Sequence, residues 1–223
     1  GAIRVQCAQS GSPGTAVVTL ENTRFVNNGS KEGGSGLSVG GGAYVQQVKQ
    51  LKVQNSQFID NAAMSGAAGG LGLYLAESVE VSDSLFEENV SGYRGGGLFL
   101  EGGWNAWAES FSVVRTTFRN NHTGTVGGGL SEGNVKHLTV SECRFYGNTA
   151  GSQDGDQHYA SGGGAFVDNV TQVDLDRTAF LDSVVGTSDT QNYNGGAVAI
   201  QGVTTLNVRD SLFANNQIRA LPD

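Results

Sequence analysis

Proline is nearly missing from this sequence, with two in 223 residues, and that scarcity excludes a polyproline rod or a loose Pro/Gly linker. Basic residues are also short: 13 Lys plus Arg stand against 21 Asp plus Glu, for a net charge near −8. A nucleic-acid partner needs a basic stripe for the phosphates, so that class is set aside. No apolar run approaches the roughly 20 residues that span a bilayer, so no transmembrane segment is expected. No signal peptide opens the chain, although a processed chain would have lost one. Two cysteines say little about compartment.

Glycine is present in excess. Its 35 residues are twice the ordinary share of roughly 7%. They cluster in twos and threes between apolar runs, which rules out a collagen period and points to a tightly turning β-architecture.

The organising signal is a recurring Phe-x-x-Asn: Phe25 to Asn28, Phe58 to Asn61, Phe86 to Asn89, Phe118 to Asn121, Phe145 to Asn148 and Phe213 to Asn216. A seventh copy runs from Phe180 to Ser183 and has lost its Asn. The phenylalanines lie 33, 28, 32, 27, 35 and 33 residues apart. Seven residues before each Phe sit Val18, Leu51, Val79, Phe111, Leu138, Val173 and Leu206. Five before come Leu20, Val53, Val81, Val113, Val140, Leu175 and Val208. Two before are Thr23, Ser56, Ser84, Thr116, Cys143, Thr178 and Ser211. Positions repeated in register at this period are an interior template.

The step of two between aliphatics is strand alternation. The next step, from five before the Phe to two before it, breaks the alternation, so the chain bends there and a second short strand carries the Phe inward. A third strand follows each Gly-Gly, as in Gly42-Ala43-Tyr44-Val45, Gly97-Leu98-Phe99-Leu100, Gly164-Ala165-Phe166-Val167 and Gly196-Ala197-Val198-Ala199. From that Ala or Leu to the Phe is 15 residues in four copies, 16 in the last and 20 in the Leu98 copy.

The expected fold is therefore all-β: a right-handed single-stranded parallel β-helix of about seven coils, with three short strands per coil, as one domain over residues 1–223. Like would stack on like at about 4.8 Å per coil, giving aliphatic columns, a Phe column and an Asn ladder. The paired glycines suit corners where a Cβ has no room. A seven-bladed propeller would need four strands per blade, more than these copies hold.

Gly-Gly-Ala (or Leu, Val) alternating with Phe-x-x-Asn across the whole chain resembles the repeat pair of the chlamydial polymorphic outer membrane proteins. The resemblance implies a β-helical passenger, exported in that family through a C-terminal β-barrel and implicated in adhesion. Similar repeats occur in predicted β-helical surface proteins elsewhere, eukaryotic ones included. No barrel segment lies within these residues.

A solenoid must cover its terminal coils. Gly1-Ala2-Ile3-Arg4-Val5 reads as the Gly-Ala strand of a first coil without a cap, and Leu221-Pro222-Asp223 follows soon after the last Phe-x-x-Asn. The expectation is a segment of a longer solenoid, or one whose neighbours cap it.

Candidate chemistry is sparse. Cys143 occupies a Ser/Thr column and reads as an interior filler. Regular stacking puts Cys7 roughly 20 Å away, beyond the roughly 7 Å a disulfide allows. Enzymes on this scaffold that act on polyuronates place acidic clusters plus Arg or Lys on an outward strand face. The best match is Asp174 and Asp176, with Asn207 and Arg209 one coil later. Asp154 and Asp156, near His158, could chelate Ca²⁺, but a full site needs six to eight oxygens. Two aspartates on a glycine-rich loop ordinarily make a turn, so no metal and no cofactor is expected. His122 and His137 fall in different coil sections and suggest no zinc site.

Insertions carry the better functional signal. The extra length of the Leu98 copy holds both tryptophans, Trp104 and Trp107, which could stack on sugar rings or anchor a protein. Residues 149–161, with Tyr159, and 184–194, with Asp189 and Tyr193, would lie on neighbouring coils along one edge, extended by 29–39 and 62–68. Trp104, Trp107, Tyr159 and Tyr193 are the candidate binding residues. Sequons at Asn28, Asn89, Asn121 and Asn169 read as coincidence. The first three are ladder positions, expected to be partly buried and poor glycan acceptors.

The sequence thus predicts an extracellular or cell-surface module, a rigid structural and adhesive scaffold whose edge loops touch a protein or glycan on a cell surface, or neighbouring solenoid segments. Low lysine content and the lack of catalytic motifs weigh against an enzyme. The alternatives are a polysaccharide lyase, hydrolase or epimerase centred on Asp174, Asp176 and Arg209, and a ligand-free spacer or fibre-assembly subunit.

Overall fold

The computed structural model describes residues 2–7, 14–30, 38–103, 107–151, 160–187 and 193–220. Among them there is no helix, and every strand pairing is parallel, the arrangement of a β-solenoid. Each copy of the repeat contributes to three sheets. A ten-stranded sheet holds the aliphatic columns, a seven-stranded sheet holds the phenylalanines, and another seven-stranded sheet follows the asparagines.

The aliphatic columns stack in register from Val18 through Leu51, Val79, Phe111, Leu138 and Val173 to Leu206. The inner members, Leu51 to Val173, are 0% exposed, so each contributes about 1.5–3 kcal/mol from burial. The Phe column is a continuous ring stack, with centroids 4.5 Å apart at Phe145 and Phe180 and 5.1 Å apart at Phe180 and Phe213. Offset-tolerant stacking at the β spacing is why one ring type recurs at this position.

The bend has a local cause. The residue three before every Phe is left-handed: Asn22, Asn55, Asp83, Arg115, Glu142, Arg177 and Asp210 all have φ between 46° and 56°. So is the residue two after it, from Asn27 to Asn215, with Gly147 in one copy. Asn, Asp and Gly tolerate this region best, and they hold ten of these fourteen corners.

Two details differ from the sequence reading. The strand after Gly-Gly and the aliphatic strand are one twelve-residue strand in four copies: Ala43–Gln54, Leu71–Ser82, Leu130–Ser141 and Ala165–Asp176. Each changes direction at a left-handed residue, Gln47, Leu75, Asn134 or Asn169. The third strand of the coil instead follows the Asn, as in Val90–Ser91 and His122–Thr123. In the last copy Ala165 pairs with Val198 and Gly164 bonds to Ala197. Ala197 therefore takes a glycine position, and the interval from Val198 to Phe213 returns to the common 15 residues.

The glycine pair does serve close approach. A Cβ on Gly70 would lie 2.5 Å from the Gly97 carbonyl oxygen of the next coil, which no side chain permits. The residue before the pair carries the positive φ, 58° at Gly95.

Candidate functional site

The outward face of the aliphatic strands brings together the four polar residues singled out from the sequence. Asp174 stands in register with Asn207 and Asp176 with Arg209. Asn207 Nδ2 donates to Asp174 Oδ1 at 2.8 Å, and Gln172 Nε2 donates to Oδ2 at 2.7 Å. The Gln172 bond, then the Asn207 bond, holds the Asp174 carboxyl below the usual carboxylate range. Asp176 is tied instead to Arg177, whose Nη1 lies 2.7 Å from Oδ2. A carboxylate whose two oxygens already accept amide protons is a weak base, and in its ionised form it has no proton to give. The arrangement can bind a hydroxylated ligand through the remaining lone pairs of Asp174.

The loop bases gather as the repeat required. Loops leave from the sheet that includes Gly29–Ser30, Ala62–Ala63, Thr149–Ala150 and Val184–Thr187. They return along another line, where Ser38–Val39 pairs with Gly66–Ala67 and Ala160–Ser161 pairs with Tyr193–Asn194. Bridges from Arg94 to Val126 and from Val126 to Ser161 continue that line between the two pairs. Trp107 is half-buried at the insertion between Leu98–Glu101 and Ala108–Val114. Trp104, Asp154, Asp156, His158, Tyr159 and Asp189 lie outside the described residues, as does the side chain of Tyr193.

Among the described residues no group of three His, Cys, Asp or Glu side chains could hold a metal. His122 is largely buried, its Nδ1 2.7 Å from Thr149 Oγ1, and burial lowers its proton affinity. Both cysteines are free, Cys7 exposed and Cys143 buried. No helix among the described residues is long and apolar enough to cross a membrane.

Three features were missed from the sequence. Glu132 occupies an interior column between Leu100 and Val167, is 2% exposed, and neither carboxylate oxygen has a hydrogen-bond partner. Desolvation, then the nearby Asp168, pushes its proton affinity well up. The signal was available: the residue two past the one after Gly-Gly is Val45, Leu73, Leu100, Glu132 and Val167. Secondly, an open groove of about 510 Å³ follows the bend, lined by residues including Asn55, Gln57, Asp83, Arg115, Thr117 and Arg119. Arg115 forks onto Asp83, Nε to Oδ1 at 2.7 Å and Nη2 to Oδ2 at 2.8 Å, and Arg119 pairs with Glu87. Lastly, the Ser/Thr column two before each Phe is legible in the sequence, but not the hydrogen bonds its hydroxyls make from coil to coil. Ser56 Oγ donates to the Gln54 carbonyl at 2.9 Å and accepts the Thr23 amide at 3.2 Å.

The chain is 25% identical over 201 residues to metabotropic glutamate receptor-like protein R of Dictyostelium discoideum, a match over 89% of this chain and 10% of that protein. The chain thus spans about a tenth of the length of the curated relative it matches. No protein-family model matches the chain, and no solved structure matches it.

Proposed function

We propose that the chain is a right-handed, single-stranded parallel β-helix that serves outside the cell or on its surface as a rigid scaffold, with adhesive contacts made by the loops along one edge. The observation that carries this reading is the division of labour within each coil. Interior positions are committed to stacking, while the insertions emerge from one sheet and return along one line. Loops of variable length on a fixed edge are how solenoids build extended contact surfaces. The resemblance to the chlamydial surface-protein repeats supports the same placement. So does similarity to a stretch of a receptor-like protein.

A second reading has one specific observation in its favour, the convergence of Asp174, Asp176, Asn207 and Arg209 on one outward patch. It makes the chain a polysaccharide-active enzyme.

The two are separated by one set of measurements. The purified chain is applied to immobilised acidic and neutral polysaccharides and to fixed eukaryotic cells, beside a variant with the 152–159 and 188–192 loops shortened and Trp104→Ala plus Trp107→Ala. The scaffold reading expects binding by the parent and at least a tenfold loss in the variant with its strand content intact. Equal binding by both sinks the edge-loop surface. New reducing ends in the same samples, abolished by Asp174→Ala, would establish the enzyme reading instead.

A further inference from the structure

Four Asn-x-Ser/Thr sequences occur in the chain, at Asn28, Asn89, Asn121 and Asn169, and the fold treats them differently. Asn89 and Asn121 are 0% exposed. Both hydrogens of the Asn89 amide are spoken for, by the Phe58 carbonyl at 2.8 Å and Asn121 Oδ1 at 2.9 Å. The Asn121 amide donates likewise to the Phe86 carbonyl at 2.9 Å and to Asn148 Oδ1 at 3.0 Å. Replacing either hydrogen by a sugar would break the ladder and require a hexose inside the core. Asn28 is half-buried, and its sequon hydroxyl, Ser30 Oγ, is buried without a partner.

Asn169 is the opposite case. It is exposed, and so is its sequon hydroxyl residue Thr171. It sits at a left-handed corner with φ 58°, a conformation that asparagine tolerates. One amide hydrogen goes to Asn134 Oδ1 at 2.6 Å on the coil before, an exposed bond. On the coil after, the corner residue is Gly202, which carries no side chain to obstruct a substituent. Substitution at Nδ2 therefore replaces a hydrogen that faces solvent and leaves the other one on Asn134.

We infer that Asn169 is an N-glycan attachment site, the most open of the four sequons, whereas Asn89 and Asn121 are closed to substitution in the folded chain. The donor is a lipid-diphosphate-linked oligosaccharide. A bond forms between Asn169 Nδ2 and the anomeric carbon, the bond from that carbon to the diphosphate oxygen breaks, the amide proton is lost to base, and the lipid diphosphate leaves. Natural delivery of the chain to such a transferase rests on the extracellular reading above. A glycan there would project from the same corner line as the tryptophan-bearing insertion, which interrupts the strand after Glu101 beside Asn134.

The test is independent of adhesion. The full chain is secreted from a eukaryotic host behind a cleavable leader, and its intact mass is measured before and after an N-glycan-releasing amidase. One glycan is expected, with the released mark on Asn169. It should vanish in Asn169→Gln and equally in Thr171→Val, which leaves the Asn169 to Asn134 bond in place. Secreted, folded chain with Asn169 unsubstituted overturns the inference, and so does folded chain carrying a glycan on Asn89 or Asn121. Loss of cell or polysaccharide binding with the glycan present would count against the scaffold reading alone.

Discussion

Asn89 Oδ1 accepts twice from Asn61 on the coil before, from the side-chain amide at 2.9 Å and from the backbone N–H at 3.1 Å. Its own amide passes on to Phe58 and Asn121, so each ladder residue closes the backbone of one coil and tethers the next. These groups are fully buried, with no water to replace a lost partner.

Asn89→Ala should therefore cost about 2–4 kcal/mol, from several buried groups left unpaired at once. Ser183 is the natural gap. Its N–H still donates to Asn216 Oδ1 at 3.0 Å, and its hydroxyl turns back to the Leu181 carbonyl at 3.3 Å. Ser183→Asn should restore the ladder and add about 1 kcal/mol. Urea unfolding checks both, as opposite shifts of the midpoint at unchanged slope.

The Phe-x-x-Asn columns were legible in the sequence because a parallel stack repeats its interior residue by residue, so the constraint recurs every coil. The bend was legible as a broken alternation, but its left-handed corners were not. Arg115 and Arg177 hold two of them, where composition alone favours Asn or Gly. The register of the last coil was misread because Ala197 imitates the Ala of Gly-Ala while standing where other coils have glycine. The register of Asp174 with Asn207 and of Asp176 with Arg209 was legible from the repeat. What the repeat could not convey was that Gln172 and Asn207 already occupy the Asp174 oxygens.

Glu132 is the weak point of the core. With its carboxyl among aliphatic neighbours and no partner, it stays protonated in the folded chain over a range where the unfolded chain is ionised. On β-strand neighbours Leu98–Glu101 and Ala165–Asp176 the adjoining charges are Glu101 and Asp168, of like sign, and Asp168 pushes in the same direction. The folded value lies above the unfolded one, so stability is full below the ordinary Glu range and falls as pH rises toward the folded value. Glu132→Leu should raise stability by about 1–3 kcal/mol at neutral pH and remove this slope. Unfolding midpoints at about pH 5 and about pH 8 decide it. An unchanged slope in the variant would place the alkaline loss elsewhere.

The acid limb has different owners. Asp174 is held low by Gln172 and then Asn207, and Asp83 by its hydrogen bonds with Arg115. For a depressed carboxyl the contribution is present above the unfolded value and is lost as pH falls through the folded one. Asp174→Asn and Asp83→Asn should each flatten the decline below about pH 4 and leave the alkaline side as it was. Both groups are solvated, so the change is expected to be small and to shrink in high salt. A midpoint series in acid, with and without added salt, measures it.

Cys143 completes the contrast between filler and reagent. Its thiol sits in the hydroxyl ladder and donates to the Ser141 carbonyl at 3.2 Å and the Val113 carbonyl at 3.4 Å. Burial pushes it up to about 12, which leaves almost no thiolate at neutral pH. Cys7 is exposed. An alkylating reagent should therefore modify the folded chain once, at Cys7, and reach Cys143 only at the rate of unfolding. Cys143→Ser should leave the fold intact, because serine or threonine fills the same place in the other copies and makes the same bond to the carbonyl two residues back. Mass spectrometry of timed labelling in water and in urea reads both sites at once. Rapid native labelling of Cys143 would mean that the coil around it opens far more readily than its buried ladder allows.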